Sequence, residues 1–402
     1  MDFKKPSGTI WLALACLCLS VGVALAAGTG AKAPGAAGQT YFQPSPSGPV
    51  TERAVWARGE AKANRWDKGF WFAFGIRRLM GEHSTMGWHP WGGPGLHATL
   101  DDLVNGRKTP LEKKVANDQA ARGTAASMPE AARAFAARRR GDEPERLVMK
   151  DVALLIRMTA GEAEFPADIR VSNLDLPFDL EGLPFVWAGM ATHAESLAYL
   201  VPLYAKAAGR HDKLSVLWAI GLHREPGAVV PFAERVLAGK EGEEIRAEAA
   251  GCLGEQNDPK ALDLLLRTIK SDPSQAVRER AVEGLVEMDL PAAGQALMSL
   301  ALNGADRSVR GEAVHGLAEV ATAETIKLLE KISAEDKDPE VRDEAIHAFA
   351  DLPGRSGLAH LVKLAKTHPE GAVRTEAVAA IGDVGGTEAV KVLTELAGGR
   401  RR

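Results

Sequence analysis

A segment of nine residues recurs along the second half of this chain at a constant interval of 32 residues. A period between about 20 and 50 residues is typical of proteins built from stacked repeat units. From about Asp212 onward the pattern is helical, short turns separate the helices, and no strand pattern occurs. The interval therefore predicts an all-α stack of helix pairs over residues 212–402. The five copies read IRAEAAGCL, VRERAVEGL, VRGEAVHGL, VRDEAIHAF and VRTEAVAAI, and they start at Ile245, Val277, Val309, Val341 and Val373.

Superposing the five units gives a column of side chains for each position. The first, fifth, sixth and ninth positions fall on one stripe of a helix, so we expect this stripe to be buried. The fifth column is always alanine, which allows neighbouring helices to approach closely. A single helix pair cannot cover both of its apolar stripes, so each unit needs its neighbours. The fifth column holds Ala249, Ala281, Ala313, Ala345 and Ala377; the ninth holds Leu253, Leu285, Leu317, Phe349 and Ile381; and the twenty-first, on the partner helix, holds Leu265, Leu297, Leu329, Leu361 and Leu393.

The second position is arginine in every unit. A guanidinium group can bridge two acceptors in a fixed geometry. Because it recurs in all units, we predict a structural ladder in which each arginine braces a turn or pairs with an acid of the adjacent unit. A binding site for an acidic partner is the alternative. The ladder consists of Arg246, Arg278, Arg310, Arg342 and Arg374, and the candidate acids are Glu255, Glu287, Glu319, Asp351 and Asp383 of the eleventh column together with Asp272, Asp306 and Asp338 of the turns.

The pattern D-P-x-x-x-V-R-x-E-A-x-x-A-L-G, with its leucine-rich partner helix, resembles HEAT repeats, specifically the short HEAT-like class first noted in phycobilin lyases. The resemblance extends from Asp212 to Gly398. It implies an α-solenoid whose Val-Arg helices line the concave side, and it mostly implies protein binding on that side, with a minority of such repeats attached to enzymes. An earlier unit from Leu214 lacks the arginine, as expected of a terminal repeat.

This resemblance places the third, seventh and eleventh columns in solvent on the concave side. They form a weakly acidic strip that contains two histidines, whose charge can change near neutral pH. We predict a partner-binding surface here, with a solvated polar surface of no specific function as the alternative. The predicted partner-binding residues are Glu283, His315, Glu319, His347 and Asp351.

The N-terminal residues have the pattern of a secretory signal peptide. Lys4 and Lys5 precede an apolar run that ends in small residues at Ala26. Residues 1–26 are therefore predicted to be a cleaved signal, and the protein to be secreted or periplasmic. An uncleaved membrane anchor is the main alternative, so contact with a membrane would occur only through this segment, and a lipid-modified Cys16 is a further one. Cleavage would leave Cys252 as the only cysteine, so no intramolecular disulfide is expected.

Two regions separate the signal from the repeats. Residues 27–50 are rich in Gly, Ala, Pro and Ser, which predicts a flexible linker. Residues 51–210 are rich in tryptophan and mix both secondary structures. In this region RLVMKDVALLIRM, ADIRVSNLDL and LPFVWAGM predict strands, and THAESLAYLVPLYAKAAG predicts a helix. The aromatic run GFWFAFGI predicts a buried strand, with a helix as the alternative because the run is short. The predicted fold class is mainly α, with a C-terminal α-solenoid preceded by a small Trp-rich α+β region.

The Trp-rich region contains candidates for a ligand site. Trp88 and Trp91 could stack on a small molecule beside His89, whereas packing in a small core is the simpler interpretation. The intervals between the histidines do not match those of zinc sites. The acidic turn AEDKDPEVRDE lacks the glycine of a calcium loop. We therefore predict neither a metal site nor a cofactor.

The net charge and the absence of catalytic motifs limit the classes of function that the sequence favours. The net charge of −4 provides no basic field for nucleic acid. The sequence has no G-x-S-x-G, C-x-x-C or H-E-x-x-H motif. An exported scaffold that binds a protein partner is thus the expected function. The alternatives are an enzyme or small-molecule binder, lyase-like in its most specific form, with its site in the Trp-rich region, and an architectural role in an envelope assembly.

Overall fold

The computed structural model describes residues 42–44, 47–82, 84, 86, 99–104, 146–159, 161, 166–176 and 178–398. The predicted signal segment and the candidate ligand residues Trp88, His89 and Trp91 lie outside these ranges. The described residues form a small sheet followed by a long array of paired helices. The predicted fold class is confirmed: the chain is mainly α, with a C-terminal α-solenoid preceded by a small α+β region.

The sheet has five strands in the order β1-β5-β2-β3-β4. Strands β2 and β3 are antiparallel over twelve residues each, β4 is antiparallel to β3, and β5 runs parallel to both β1 and β2. All four strands predicted from the Trp-rich region are present. The strands are β1 (Phe42–Pro44), β2 (Phe70–Gly81), β3 (Leu147–Met158), β4 (Asp168–Asn173) and β5 (Phe185–Met190).

Strand β1 lies within the segment predicted to be a flexible linker. Its residues Phe42–Pro44 pair in parallel with Phe185–Trp187 of β5. The linker prediction is therefore corrected at these residues. A strand this short has no measurable alternation of polarity, and at the edge of a sheet it tolerates the proline that suggested a linker.

Strand β2 is buried on both faces, which explains its continuous apolar sequence. Phe70, Phe72 and Phe74 face the main core, where helices α1 (Val50–Ala63) and α3 (His193–Lys206) cover the sheet. Trp71 and Ala73 face a second, smaller core on the opposite side of the sheet. The short helix α2 (Leu100–Val104) contributes to this second core. The main core continues without interruption from the sheet into the helices that follow.

The remaining helices alternate between two layers. Inner-layer helices carry the recurring Val-Arg segment from the second member onward, and outer-layer helices are their partners. The inner layer consists of α4 (Arg210–Gly221), α6 (Glu243–Gly254), α8 (Gln275–Glu287), α10 (Arg307–Val320), α12 (Pro339–Asp351) and α14 (Gly371–Val384). The outer layer consists of α5 (Pro226–Ala238), α7 (Pro259–Ser271), α9 (Pro291–Asn303), α11 (Ala323–Glu335), α13 (Leu358–Thr367) and α15 (Gly386–Gly398).

The two layers are packed with different spacing. Each inner helix contacts the next inner helix extensively, whereas consecutive outer helices touch only sparsely. A stack whose layers are spaced unequally bends toward the closely spaced layer. The inner layer therefore lines the concave side.

The predicted repeat columns explain this close spacing. All five alanines of the fifth column are fully buried, and the large apolar residues of the ninth column are at most 2% exposed. The leucines of the twenty-first column are buried in the outer layer as far as Leu361. Leu393 in α15 is only partly buried, because no further helix covers it among the described residues.

One unit departs from the regular pattern. Between α12 and α13 the chain forms a short 3-10 helix, Pro353–Arg355, and Gly354 has a φ of 65°. Helix α13 has 10 residues, whereas α7, α9, α11 and α15 have 13 each. The outer layer is thus locally irregular while the inner layer remains continuous.

Candidate functional site

The arginine column joins consecutive repeat units. Each of the first four guanidinium groups pairs with an acid in the turn that leads into the next inner helix. Arg374 instead donates to the carbonyl oxygens of His368 and Pro369, each at 2.7 Å. The arginine column therefore lies at the edge of the stack, where its side chains contact other residues of the same chain. The pairs are Arg246 with Asp272 at 3.0 Å, Arg278 with Asp306 at 2.5 Å, Arg310 with Asp336, and Arg342 with Glu370 at 2.9 Å.

The eleventh-column acids do not pair with these arginines among the described residues, so this part of the prediction is wrong. Positions two and eleven are separated by about 13 Å along a helix, which places them at opposite ends. The turn acid Asp338 also has a different role, because it caps α12 through the N–H of Glu340 and pairs with Arg307. The eleventh-column contacts are Glu255 with Arg78 and Arg224, Glu287 with Arg280, Glu319 with His315, and Asp383 with His347.

The predicted partner-binding residues all lie on the inner layer, at three places along it. Glu283, His315 and Glu319 line one cavity of about 220 Å³. His347 lies one unit further along, where its Nε2 is 2.7 Å from Glu376 and its Nδ1 is 3.3 Å from Asp383, both on α14. Asp351 is exposed at the end of α12. The structure thus brings three of the five residues together and engages His347 with the next unit.

Sequence reasoning missed the fourth column as part of this surface. Four of its five members are glutamates, and the fifth is an arginine. The motif V-R-x-E already indicated this column. A charged residue that recurs next to the buried fifth position must lie near the inner surface. The column holds Glu248, Arg280, Glu312, Glu344 and Glu376.

Like charges crowd this surface. Burial is the main cause that raises the pKa of Glu312, and the carboxylates of Glu283 and Glu279 raise it further. Burial likewise raises the pKa of Asp343, with Glu376 adding to the effect. A carboxylate whose pKa is raised costs the folded protein stability at neutral pH.

A distinct cleft lies where the sheet meets the inner layer. Strands β2 and β3 extend beyond β4 and β5, and this end of the pair reaches the solenoid. Arg78 of β2 is 8% exposed, and its Nη2 lies 2.6 Å from Oε1 of Glu255, the residue that follows α6. The adjoining space has a volume of about 120 Å³. We call it the junction cleft, and its lining includes Arg78, Trp218, Glu248, Glu255, Arg280 and Glu287.

Arg280 forms the centre of the junction cleft. Its Nη1 lies 3.0 Å from Glu283 and 3.2 Å from Glu287, both on its own helix. The guanidinium lies against α6 at Gly251, where a Cβ atom would overlap it. The glycine at this position therefore makes room for Arg280.

Two carboxylates around Arg280 have raised pKa values. Burial raises the pKa of Glu248, although the charge of Arg280 acts in the opposite direction. Desolvation also raises the pKa of Glu287, and Glu255 adds to this effect against Arg280. Perturbed carboxyl groups in a cleft between two structural parts are typical of functional sites.

A buried serine–histidine pair near the sheet is structural. His223 and Ser196 are fully buried, and Nε2 of His223 lies 2.7 Å from Oγ of Ser196. Nδ1 of His223 is hydrogen-bonded to the carbonyl oxygens of Ala219 and Ile220. Burial is the main cause that lowers the pKa of His223 to about 4. The pair has no access to substrate and joins α3 to α4.

The described part of the chain contains neither a metal-binding cluster nor a membrane-spanning helix. No group of three or more His, Cys, Asp or Glu side chains there is arranged to hold a metal ion. Among the same residues, no helix has the length and apolar character needed to cross a bilayer.

The sequence of the array matches the family model of HEAT repeats. The five overlapping matches cover residues 197–286, 230–318, 267–350, 294–371 and 326–401. Together they span just over half of the chain. The chain therefore belongs to the HEAT-repeat family, and the array is a HEAT-repeat scaffold. The first match begins within α3, which precedes the predicted start of the repeats at Asp212.

Two solved structures show distant similarity to this chain. The complex of CpcE and CpcF of phycocyanin lyase from Nostoc sp. PCC7120 is 21% identical, with 39% of this chain and 99% of that chain covered and a TM-score of 0.30. Human deoxyhypusine hydroxylase in complex with glycerol is 19% identical, with 47% and 84% covered and a TM-score of 0.23. No match was found among curated protein sequences. Similarity at this level carries no argument about activity.

Proposed function

We propose that this chain is an exported scaffold that binds a protein partner on the concave inner layer of its HEAT-repeat solenoid. The signal pattern at residues 1–26 supports export, and a secreted or periplasmic location is part of the proposal. The known behaviour of HEAT repeats as protein-interaction modules supports the partner class.

The observation that carries the proposal is the crowding of carboxylates on the inner layer. Burial and the neighbouring Glu283 both raise the pKa of Glu312, so this arrangement opposes folding. The contacts that join consecutive units are made separately, by the arginine column at the edge of the stack. The seventh column beside Glu312 differs from unit to unit, since it holds Glu283, His315 and His347 in consecutive units. A surface that costs stability and varies in this way is better explained by binding than by architecture.

The test compares two triple variants of the mature protein. The inner-layer variant combines His315→Ala, Glu319→Ala and His347→Ala. The matched outer-layer variant combines Glu324→Ala, Lys327→Ala and Lys331→Ala, all exposed residues of α11. Each protein is immobilised and exposed to an envelope extract, and the bound proteins are quantified by mass spectrometry.

We expect a partner that the wild type and the outer-layer variant retain and that the inner-layer variant loses. Identical sets of bound proteins from all three would overturn the proposal and favour a purely architectural role. The N-terminal residue of the mature protein, determined by mass spectrometry, tests cleavage after residues 1–26. The alternative of a small-molecule site at Trp88, His89 and Trp91 concerns residues outside the described ranges, and no observation within those ranges favours it.

A further inference from the structure

The junction cleft has the size of a single side-chain head group. Its volume of about 120 Å³ is well below the roughly 300–1,000 Å³ typical of pockets for whole small molecules. Its lining residues Trp218, Glu248 and Arg280 belong to three consecutive inner-layer helices, the layer on which the proposed partner would lie. An occupant would therefore be one side chain of a larger molecule.

The charges of the cleft favour a cation. Arg78 and Arg224 both pair with Glu255, which leaves Arg280 to face the remaining acids. The charged residues that line the cleft are Arg78 and Arg280 against Glu248, Glu255 and Glu287, so two guanidinium groups and three carboxylates give a local charge of −1.

Glu248 is the carboxylate with the least compensation. It is half-buried, and it forms no ion pair within the described ranges. Burial raises its pKa, so a cation placed beside it would recover the lost stabilisation.

An exposed aromatic ring forms another wall of the cleft. Trp218 on α4 is 42% exposed, although large apolar side chains in this array are mostly buried. The face of an indole ring attracts cations, and it stacks well on a planar guanidinium group. A guanidinium also matches the geometry of a carboxylate, which a lysine ammonium group does not.

The cleft departs from the repeat at two positions that contact each other. The fourth column is glutamate in every unit except the second, where it is Arg280. The seventh column has a side chain in every unit except the first, where it is Gly251. Because a Cβ atom at Gly251 would overlap the guanidinium of Arg280, the two exceptions depend on each other. The repeat architecture alone does not produce this arrangement.

We propose that the junction cleft binds an arginine side chain of the partner polypeptide, with the guanidinium stacked on Trp218 and paired with Glu248 and Glu287. This inference rests on the proposed function, since it names the anchor of the same partner surface. The arginine adds a positive charge where the lining residues carry one negative charge in excess, and its planar group lies between the indole ring and the carboxylates.

The experiment follows the indole N–H signal of Trp218 by NMR in the mature protein. The signal is assigned with Trp218→Phe. The probe is the peptide acetyl-Gly-Arg-Gly-amide, and its isosteric control is the same peptide with citrulline, which lacks the charge. We expect a saturable shift of the signal with the arginine peptide, weaker at high salt, and at least tenfold weaker binding of the citrulline peptide.

Variants distinguish specific binding in the cleft from non-specific attraction of the peptide to an acidic surface. Glu248→Gln and Glu287→Gln preserve shape, and each should weaken binding of the arginine peptide at least fivefold. Glu324→Gln on the outer layer removes one negative charge elsewhere and should leave binding unchanged. Circular dichroism melting checks that every variant is folded.

Equal shifts with both peptides, or wild-type affinity in Glu248→Gln and Glu287→Gln, would overturn the inference. A lysine peptide that binds as tightly as the arginine peptide would overturn the assignment of a guanidinium. The proposed function fails separately, if the inner-layer triple variant retains all of its partners.

Discussion

Arg246 and Asp272 join two repeat units through a two-point ion pair. Nε and Nη2 of the arginine each lie 3.0 Å from a different carboxylate oxygen, and the side chains are only 15% and 9% exposed. Burial is the largest influence on Asp272 and acts to raise its pKa, yet hydrogen bonds from Arg246 and from the N–H of Ser274 lower the pKa overall. The charged pair is thus part of the folded interface between units.

Loss of this arginine should destabilise the stack. Arg246→Ala leaves a mostly buried carboxylate without its partner, and breaking such a pair costs about 3–5 kcal/mol. Arg210→Ala is the matched control, because its pair with Glu244 is 67% and 52% exposed and should contribute about 1 kcal/mol or less. Urea unfolding measures both variants. Equal losses would show that the arginine column has no special structural role.

Acid should weaken the contact between α3 and α4. The pKa of His223 is lowered to about 4, with burial as the main cause. The unfolded chain, in which histidine titrates near 6.5, therefore binds more protons between these values. The stability contribution is complete above pH 6.5 and is lost as the pH falls toward 4, by about 3 kcal/mol in total. An NMR titration of the His223 imidazole should have its midpoint near 4; a midpoint near 6.5 would contradict the prediction.

His347 should have the opposite pH dependence. Burial acts to lower its pKa, but the hydrogen bond to Glu376 and the charge of Asp383 raise the pKa overall. Stability from a raised histidine pKa is complete below the unfolded value and is lost as the pH rises through the folded value. His347→Gln should therefore increase hydrogen exchange in α14 more at pH 6 than at pH 8.5. An equal effect at both values would show that the charge of His347 does not hold α12 and α14 together.

Two glycines in the array should respond oppositely to alanine. A Cβ atom at Gly254 would lie 2.8 Å from both the Cα and the carbonyl oxygen of Gly284, where α6 and α8 approach closely. Gly254→Ala should lower the free energy of unfolding by about 1–3 kcal/mol. Gly294 in α9 has no atom within 4 Å of such a Cβ, so Gly294→Ala should raise stability by up to about 1 kcal/mol. Thermal unfolding of both variants tests the contrast, and a loss at Gly294 would contradict it.

The repeat interval predicted the solenoid because the five residues of a column occupy equivalent positions in the fold, so a buried or exposed position is seen five times in the sequence. The burial of the fifth-column alanines, such as Ala281, could be predicted for this reason. The partner of a charged side chain depends instead on which acids lie at the same end of the helix, and the columns do not show this. Glu287 therefore looked equivalent to Asp306 as a partner for Arg278, although only Asp306 lies at the correct end of the helix.

The junction cleft could not be predicted in the same way. It combines Arg78 of the sheet with Glu255 of the solenoid, which are 177 positions apart in the sequence. No periodic signal connects them. The sequence did contain one indication, since Arg280 and Gly251 are exceptions within otherwise regular columns.

The unequal spacing of the two layers has a mechanical consequence. When a stack of this kind flexes, the sparsely touching outer helices can separate or close, whereas the tightly packed inner helices act as the line of constant length. Distances along the inner layer, such as that between Trp218 and His347, should therefore stay nearly fixed while the curvature changes. Binding sites on the concave surface would then keep a constant spacing, set by the 32-residue repeat, at every curvature of the solenoid.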